Sequence, residues 1–343
     1  MPRQARPLTC RWYPTPDCAI ADSLFTMSAP NQARTGHTVV TGAAGFIGSA
    51  LTHRLAARGQ QIVGIDNERS GQWSRVEDVC VAIPRDLATM TVAELSEHLD
   101  GADVCYHLAA EKYNSSQTTP QRVIDVNITA THRLLEASAR AGVRKVVFTS
   151  SLYAYGSLGP APMKEDDLPR PTTTYGMSKV AGEHLLRVAE RDHGLQWAVA
   201  RLFFVYGPDQ YAEGGYKSVI ISNFERLLEA QAPTIFGDGR QALDYVYIDD
   251  VVGALVSLAA QEHDGLLVNI GSGTATPVEE LTGAMLDTAE SSLEPIFCPP
   301  DWTAGSVRVS DVSLSRSALG WEACIPLADG LEAVWRWMRM RDG

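Results

Sequence analysis

The sequence predicts an α/β protein built on a doubly wound parallel sheet, with a smaller, interleaved C-terminal α/β region. Three observations carry this. From His37 onward, short apolar runs alternate with longer helical patterns, the mark of strands covered by helices. The first apolar run opens into a glycine-rich turn and then a helix. Past about residue 200, Pro208, Gly214, Gly215, Gly237, Gly239, Gly271 and Gly273 divide the chain into shorter pieces that suit a small appended region better than a second core.

Taken in order, the expected strands are 38–41, 61–65, 79–83, 103–107, 144–149 and 196–201, each a short apolar run. The expected helices are 46–58, 91–98, 120–141 and 174–192. The first, LTHRLAARG, stops at Gly59 as a helix C-terminus should. Residues 1–35 carry four prolines in their first half and no continuous apolar segment, so they read as a weakly structured tail, with Met27 as an alternative start. Residues 36–205 then form the sheet domain, and 206–343 form mainly the second region, with some segments returning to the first.

At 343 residues, 45% hydrophobic and 20% charged, the chain can bury a large core. A net charge of -12 without a polybasic run argues against nucleic acid, but a helix N-terminus can still bind a small anion. No apolar stretch reaches the roughly 20 residues of a membrane span. Cys10, Cys18, Cys80, Cys105, Cys298 and Cys324 lack C-x-x-C spacing, so neither a zinc site nor a disulfide framework is signalled, and a reducing cytoplasm is expected.

After the first strand comes TGAAGFIGS. Gly42, Gly45 and Gly48 permit a tight turn and close backbone approach, so that a pyrophosphate can rest on the amides that open the next helix. Asp66 ends the second strand, where a carboxylate accepts from both adenosine-ribose hydroxyls and repels a 2'-phosphate. The expected cofactor is NAD rather than NADP, on a Rossmann-type domain. Tyr175 and Lys179, four apart, share a helix face, and an ammonium beside a phenol is expected to lower its pKa. Such a pair takes a proton from an alcohol while the neighbouring carbon gives a hydride to NAD. The hydroxyls of Ser150 and Ser151, at the end of the fifth strand, are expected to hold the reacting oxygen.

With TGAAGFIGS, DVCYHLAA, TSSLYAYG, YGMSK, RLFFVYGP, FGDGRQALDYVYIDDVV, NIGSG and SRSALGWE, the chain resembles, from about His37 to its C-terminus, the extended short-chain dehydrogenases/reductases that act on nucleotide sugars, including UDP-galactose 4-epimerases. The resemblance implies NAD on the Rossmann-type domain, a nucleoside-diphosphate sugar in the cleft beside the C-terminal region, and a homodimer. It assigns Gly42, Gly45, Phe46, Ile47 and Gly48 to the pyrophosphate turn, Asp66 and Asn67 to the ribose, and Asp86 and Leu87 to the adenine edge. Leu108, Ala109, Ala110 and Lys112 match the segment beside the nicotinamide ribose. Lys112 and Asp86 read equally well as solvated charges at strand ends. Ser151 matches the catalytic serine, Tyr175 the base, and Lys179 the residue that holds the nicotinamide ribose and tunes the tyrosine.

The substrate half departs from the family. Leu243 stands where many members have a diphosphate-binding arginine, with Arg240 as a substitute only if it turns inward. Phe204 replaces an asparagine, and Tyr211 replaces an arginine that uronate epimerases use. Arg308 falls at or beside the position that gates the sugar's 2-substituent, or else serves the diphosphate. Leu152 and Tyr153 occupy the positions of the Asp-Glu pair of 4,6-dehydratases. The expected activity is therefore NAD-dependent 4-epimerisation of a nucleoside-diphosphate hexose, with Lys112, Ser150, Ser151, Tyr175 and Arg308 toward the substrate. The alternatives are another nucleotide-sugar oxidoreductase, a dehydratase or ketoreductase, and a non-catalytic NAD-dependent binding protein.

Overall fold

Strand β1 (His37–Thr41) is buried from Thr38 onward because it runs between two neighbours in a sheet covered on both faces. The computed structural model describes residues 36–156, 162–210, 217–301 and 303–342. The tail expected over 1–35, with Met27, lies outside the described residues, as do Cys10, Cys18 and Tyr211. From β1 the chain passes through α1 (Phe46–Ala57), β2 (Ile62–Asp66), β3 (Val81–Pro84), α2 (Val92–Leu99), β4 (Ala102–His107), α3 (Pro120–Ile124), α4 (Thr131–Ala141), β5 (Lys145–Ser151), α5 (Thr174–His193) and β6 (Gln196–Leu202).

These strands pair in parallel, and with β11 (Leu266–Ile270) they form a seven-stranded sheet in the order β11-β6-β5-β4-β1-β2-β3. The order reverses between β1 and β4, which opens a crevice at their C-terminal ends. The expected third strand lies later than its apolar run suggests, because β3 is a largely exposed edge where burial imposes little pattern. The expected helix over 120–141 is interrupted by a π-turn at Asp125–Ala130. That widened turn carries Asn127, which accepts from the Glu111 amide at 2.8 Å and donates to the Ser178 hydroxyl at 3.0 Å. A capping box of Thr91 and Glu94 starts α2, and Thr173 caps α5 by accepting from the Gly176 amide. Gly182 lets α5 settle on β5, since a Cβ there would meet the Phe148 ring at 2.6 Å.

Beyond β6 come β7 (Phe204–Tyr206), α6 (Val219–Leu228), β8 (Thr234–Phe236), β9 (Ala242–Leu243), β10 (Tyr245–Tyr247) and α7 (Ile248–Leu258). After β11 follow β12 (Thr276–Pro277), α8 (Val278–Thr288), β13 (Ile296–Cys298), β14 (Val307–Arg308), α9 (Ser313–Leu319) and α10 (Leu327–Asp342). The short strands form three small sheets, β10-β7, β12-β9-β14 and β13-β8. Asp244, fully buried between β9 and β10, accepts from the amides of Ser272, Gly273 and Ser310 and from both serine hydroxyls. One side chain thus ties the Gly271–Gly273 loop and the chain after β14 to β9, and its buried oxygens are satisfied by these donors. Among the described residues no helix is long and apolar enough to cross a membrane, and no group of His, Cys, Asp and Glu could hold a metal ion. Cys80, Cys105 and Cys298 are free thiols.

Candidate active site

A cavity of about 880 Å³ lies at the C-terminal ends of the central strands. One end is the glycine turn. Gly42 has φ +74°, and a Cβ on it would lie 2.8 Å from the Ala109 nitrogen; a Cβ on Gly48 would lie 1.9 Å from the Gly42 oxygen. Only glycine lets the turn, α1 and the segment after β4 meet there, which leaves the open backbone cradle that a pyrophosphate requires. Phe46, Ile47 and Gly45 complete this wall, and Leu108, Ala109 and Ala110 face it.

Asp66 stands at the rim, its Oδ2 accepting from the Ala44 amide at 3.1 Å and its Oδ1 from Glu68 at 2.7 Å. Burial pushes its carboxyl above the ordinary value, with those amides working against the rise. Asn67 and Leu87 line the same end. Asp86 lines it too, but as neither a solvated charge nor a free acceptor. It caps the turn Leu87–Thr89 through the Ala88 amide and is paired with Arg122. Burial opposes its charge, yet that pairing holds its carboxyl below the ordinary value.

Ser151, Tyr175 and Lys179 meet in the middle of the cavity, brought there by the end of β5 and the first turns of α5. The Ser151 hydroxyl favours the ionised form of the Tyr175 phenol. Lys179 Nζ donates to the Thr149 carbonyl at 2.9 Å and lies 5.6 Å from the Tyr175 ring centre. Burial lowers Lys179 to about 8, although the nearby Glu183 carboxylate opposes the fall. Tyr175 moves the opposite way from the sequence expectation, up to about 12, because loss of solvent around the phenolate outweighs the effect of Ser151.

Ser150 also lines the cavity, with a partner that the sequence did not show. Its hydroxyl donates to Glu183 Oε1 at 2.5 Å, so its proton is directed into the protein. Glu183 also receives two hydrogen bonds from Arg201, at 2.9 and 2.7 Å, in a buried pair. Neither Glu183 nor Arg201 stood out in the sequence. The available signal was spacing, since Glu183 follows Lys179 by one helical repeat of four in YGMSKVAGEH.

The far end is more apolar, with Phe204, Leu243, Tyr245 and Val278 beside Asn223 and Gln241. Lys112 also lines the cavity and is exposed. Arg240 is exposed and is not among the lining residues, so it has not turned inward at the level of Leu243. Arg308 is likewise not a lining residue. Its guanidinium lies over the Tyr153 ring, 5.5 Å from the centre, and Tyr153 does line the cavity, stacked on Tyr113 at 4.8 Å and edge-on to Tyr175 at 5.7 Å.

Residues 38–271 match the NAD dependent epimerase/dehydratase family. The chain belongs to this family. As a member it depends on NAD, and the glycine cradle and the rim carboxylate of Asp66 fit that dinucleotide. The member is 37% identical to a UDP-glucose 4-epimerase of Mycolicibacterium smegmatis, over 86% of this chain and 96% of that protein. It is 28% identical to a dTDP-glucose 4,6-dehydratase of Streptomyces griseus, over 88% of this chain and 94% of the other. Among solved structures it is similar to a UDP-glucose 4-epimerase from Thermotoga maritima, crystallised with UDP-glucose, at a TM-score of 0.82 and 32% identity, over 90% of this chain and 100% of that one.

Proposed function

We propose that the protein is an NAD-dependent 4-epimerase of a nucleoside-diphosphate hexose of the UDP-glucose/UDP-galactose type. The observation that carries this is that Leu152 and Tyr153 directly follow Ser151, which lines the cavity with Tyr175 and Lys179: proton-transfer groups for oxidation at C4 are present, and neither Leu152 nor Tyr153 supplies a carboxylate for elimination. The relatives from M. smegmatis and T. maritima support the substrate class.

Bound NAD supplies the acceptor for the C4 hydride and its return. Gly42, Gly45 and Gly48 would hold its pyrophosphate and Asp66 its adenosine ribose, with Lys179 toward the second ribose. Tyr175 takes the O4 proton as general base, and the Ser151 hydroxyl donates to the same oxygen while it becomes a carbonyl. Below about pH 8 Lys179 is an ammonium, and its charge favours the phenolate at the moment the proton moves. The 4-keto sugar turns over in the cavity and is reduced on its other face, with Tyr175 returning the proton. In this proposal residues 36–205 carry the cofactor and 206–343 mainly the sugar nucleotide. A homodimer and a cytoplasmic location belong to the same reading and are checked by sedimentation and by fractionation.

The test is turnover of UDP-glucose and UDP-galactose in deuterated water, followed by NMR. No deuterium is expected at C4 or C5, and a C4-deuterated substrate should keep its label in the epimer. Release of a 4-keto-6-deoxy sugar, or deuterium at C5, would overturn the epimerase reading in favour of a dehydratase.

A further inference from the structure

Arg69 lies in the loop after β2 and Glu111 in the segment after β4, and in the sheet β1 runs between those two strands. Arg69 Nε is nevertheless 3.0 Å from Glu111 Oε1. This ion pair therefore crosses above the C-terminal end of β1, where the glycine turn stands, and both residues line the cavity. The two sides of the bridge differ. Glu111 is buried and fixed: Arg122 donates to the same Oε1 at 3.0 Å, Ser115 to Oε2 at 2.8 Å, and Asn127 holds its backbone on both sides. Arg69 has a side chain 56% exposed, on a loop whose far end is held to the turn by the Gln72 amide donating to the Ala44 carbonyl at 3.0 Å. A buried carboxylate on one bank and an exposed arginine on the other make a span that involves no strand of the sheet.

We infer that Arg69 and Glu111 form a clasp over the pyrophosphate groove that slows release of the dinucleotide. The inference rests on the proposed function and deepens it. A hydride taken from C4 must return to the same sugar, so a dinucleotide that left in mid-cycle would strand the keto form and end the turnover. Retention is thus a requirement of the chemistry. The glycine cradle contributes contact from beneath, while the ion pair restricts the exit above. An exposed partner makes such a pair weak alone and sensitive to salt, which supplies a signature that packing contacts lack.

The experiment compares the wild-type protein with Arg69→Ala, Arg69→Gln and Arg69→Lys. Each is loaded with NAD and freed of excess by gel filtration, and release is followed by a scavenging dehydrogenase at low and high salt. Arg69→Ala and Arg69→Gln should release NAD about fivefold faster or more, the upper range for an exposed pair. Wild-type release should accelerate with salt, release from these two variants should not, and Arg69→Lys should stay near wild type. Thermal unfolding of the NAD-free proteins reads folding separately. Equal release from wild type and both neutral variants, or wild-type release insensitive to salt, would overturn the clasp while leaving the NAD site intact. Failure of the wild type to bind NAD would remove the underlying reading and the clasp with it.

Discussion

The Ser150 hydroxyl donates to the Glu183 carboxylate at 2.5 Å, while the neighbouring Ser151 hydroxyl favours the ionised form of the Tyr175 phenol. Two adjacent serines at one strand end, both lining the cavity, thus have different partners. Ser151→Ala should lower kcat by about 100-fold to 1,000-fold with little change in unfolding, as expected when a donor to the reacting oxygen is lost. Ser150→Ala should do the reverse, costing about 1.5–3 kcal/mol for a buried bond to a charged group while kcat stays within a few-fold. Urea titrations and steady-state kinetics on both variants check the assignment, and equal kinetic damage from the two would remove it.

Tyr175→Phe should lower turnover at least about 100-fold, the low end for loss of a positioned general base, with substrate binding little changed. The phenyl ring still packs edge-on to Tyr153, so the fold should tolerate the change. Single-turnover measurement of NADH formation is the direct readout, and a near-normal rate would sink the mechanism.

Asp66→Ala should weaken NAD binding by about 1.5–3 kcal/mol through loss of the ribose hydrogen bonds. The same carboxylate also accepts from the amides of Ala44 and Glu68, so some local loosening of the turn should accompany the loss. Calorimetric titration with NAD decides it: unchanged affinity would remove the role given to Asp66.

His107 is buried, bonded at Nδ1 to the Thr41 hydroxyl at 2.7 Å and at Nε2 to Thr131 at 2.8 Å. Burial, with a smaller contribution from the Lys179 charge, lowers its pKa from 6.5 to about 3. Between those values the unfolded chain binds a proton that the folded one refuses, so stability should fall as pH drops from 6.5 toward 3 and be unaffected by this group above 6.5. His107→Gln, which can still bond hydroxyls, should flatten that dependence in urea midpoints measured at pH 7.5 and 5, both ordinary working values on either side of about 6.5. An unchanged slope would show that other groups carry the acid sensitivity.

The six strands and four helical segments up to residue 202 were legible because a parallel sheet buried on both faces writes itself as apolar runs, and a dinucleotide turn writes itself as Gly42, Gly45 and Gly48. The spacing of Tyr175 and Lys179 likewise placed both on one side of α5, since helical geometry is local. β3 slipped because an exposed edge leaves sequence free, and the π-turn at Asp125–Ala130 carries Asn127 to a distant partner, the backbone of Glu111, that chain spacing does not reveal. The duties of Ser150 and Ser151 also separated only in three dimensions, when Glu183 and Arg201 arrived from α5 and β6 to claim one hydroxyl. The sign of the Tyr175 shift followed the same logic. Chain spacing shows which charges can be neighbours, but desolvation depends on everything that packs around a group, and that is set by tertiary structure alone.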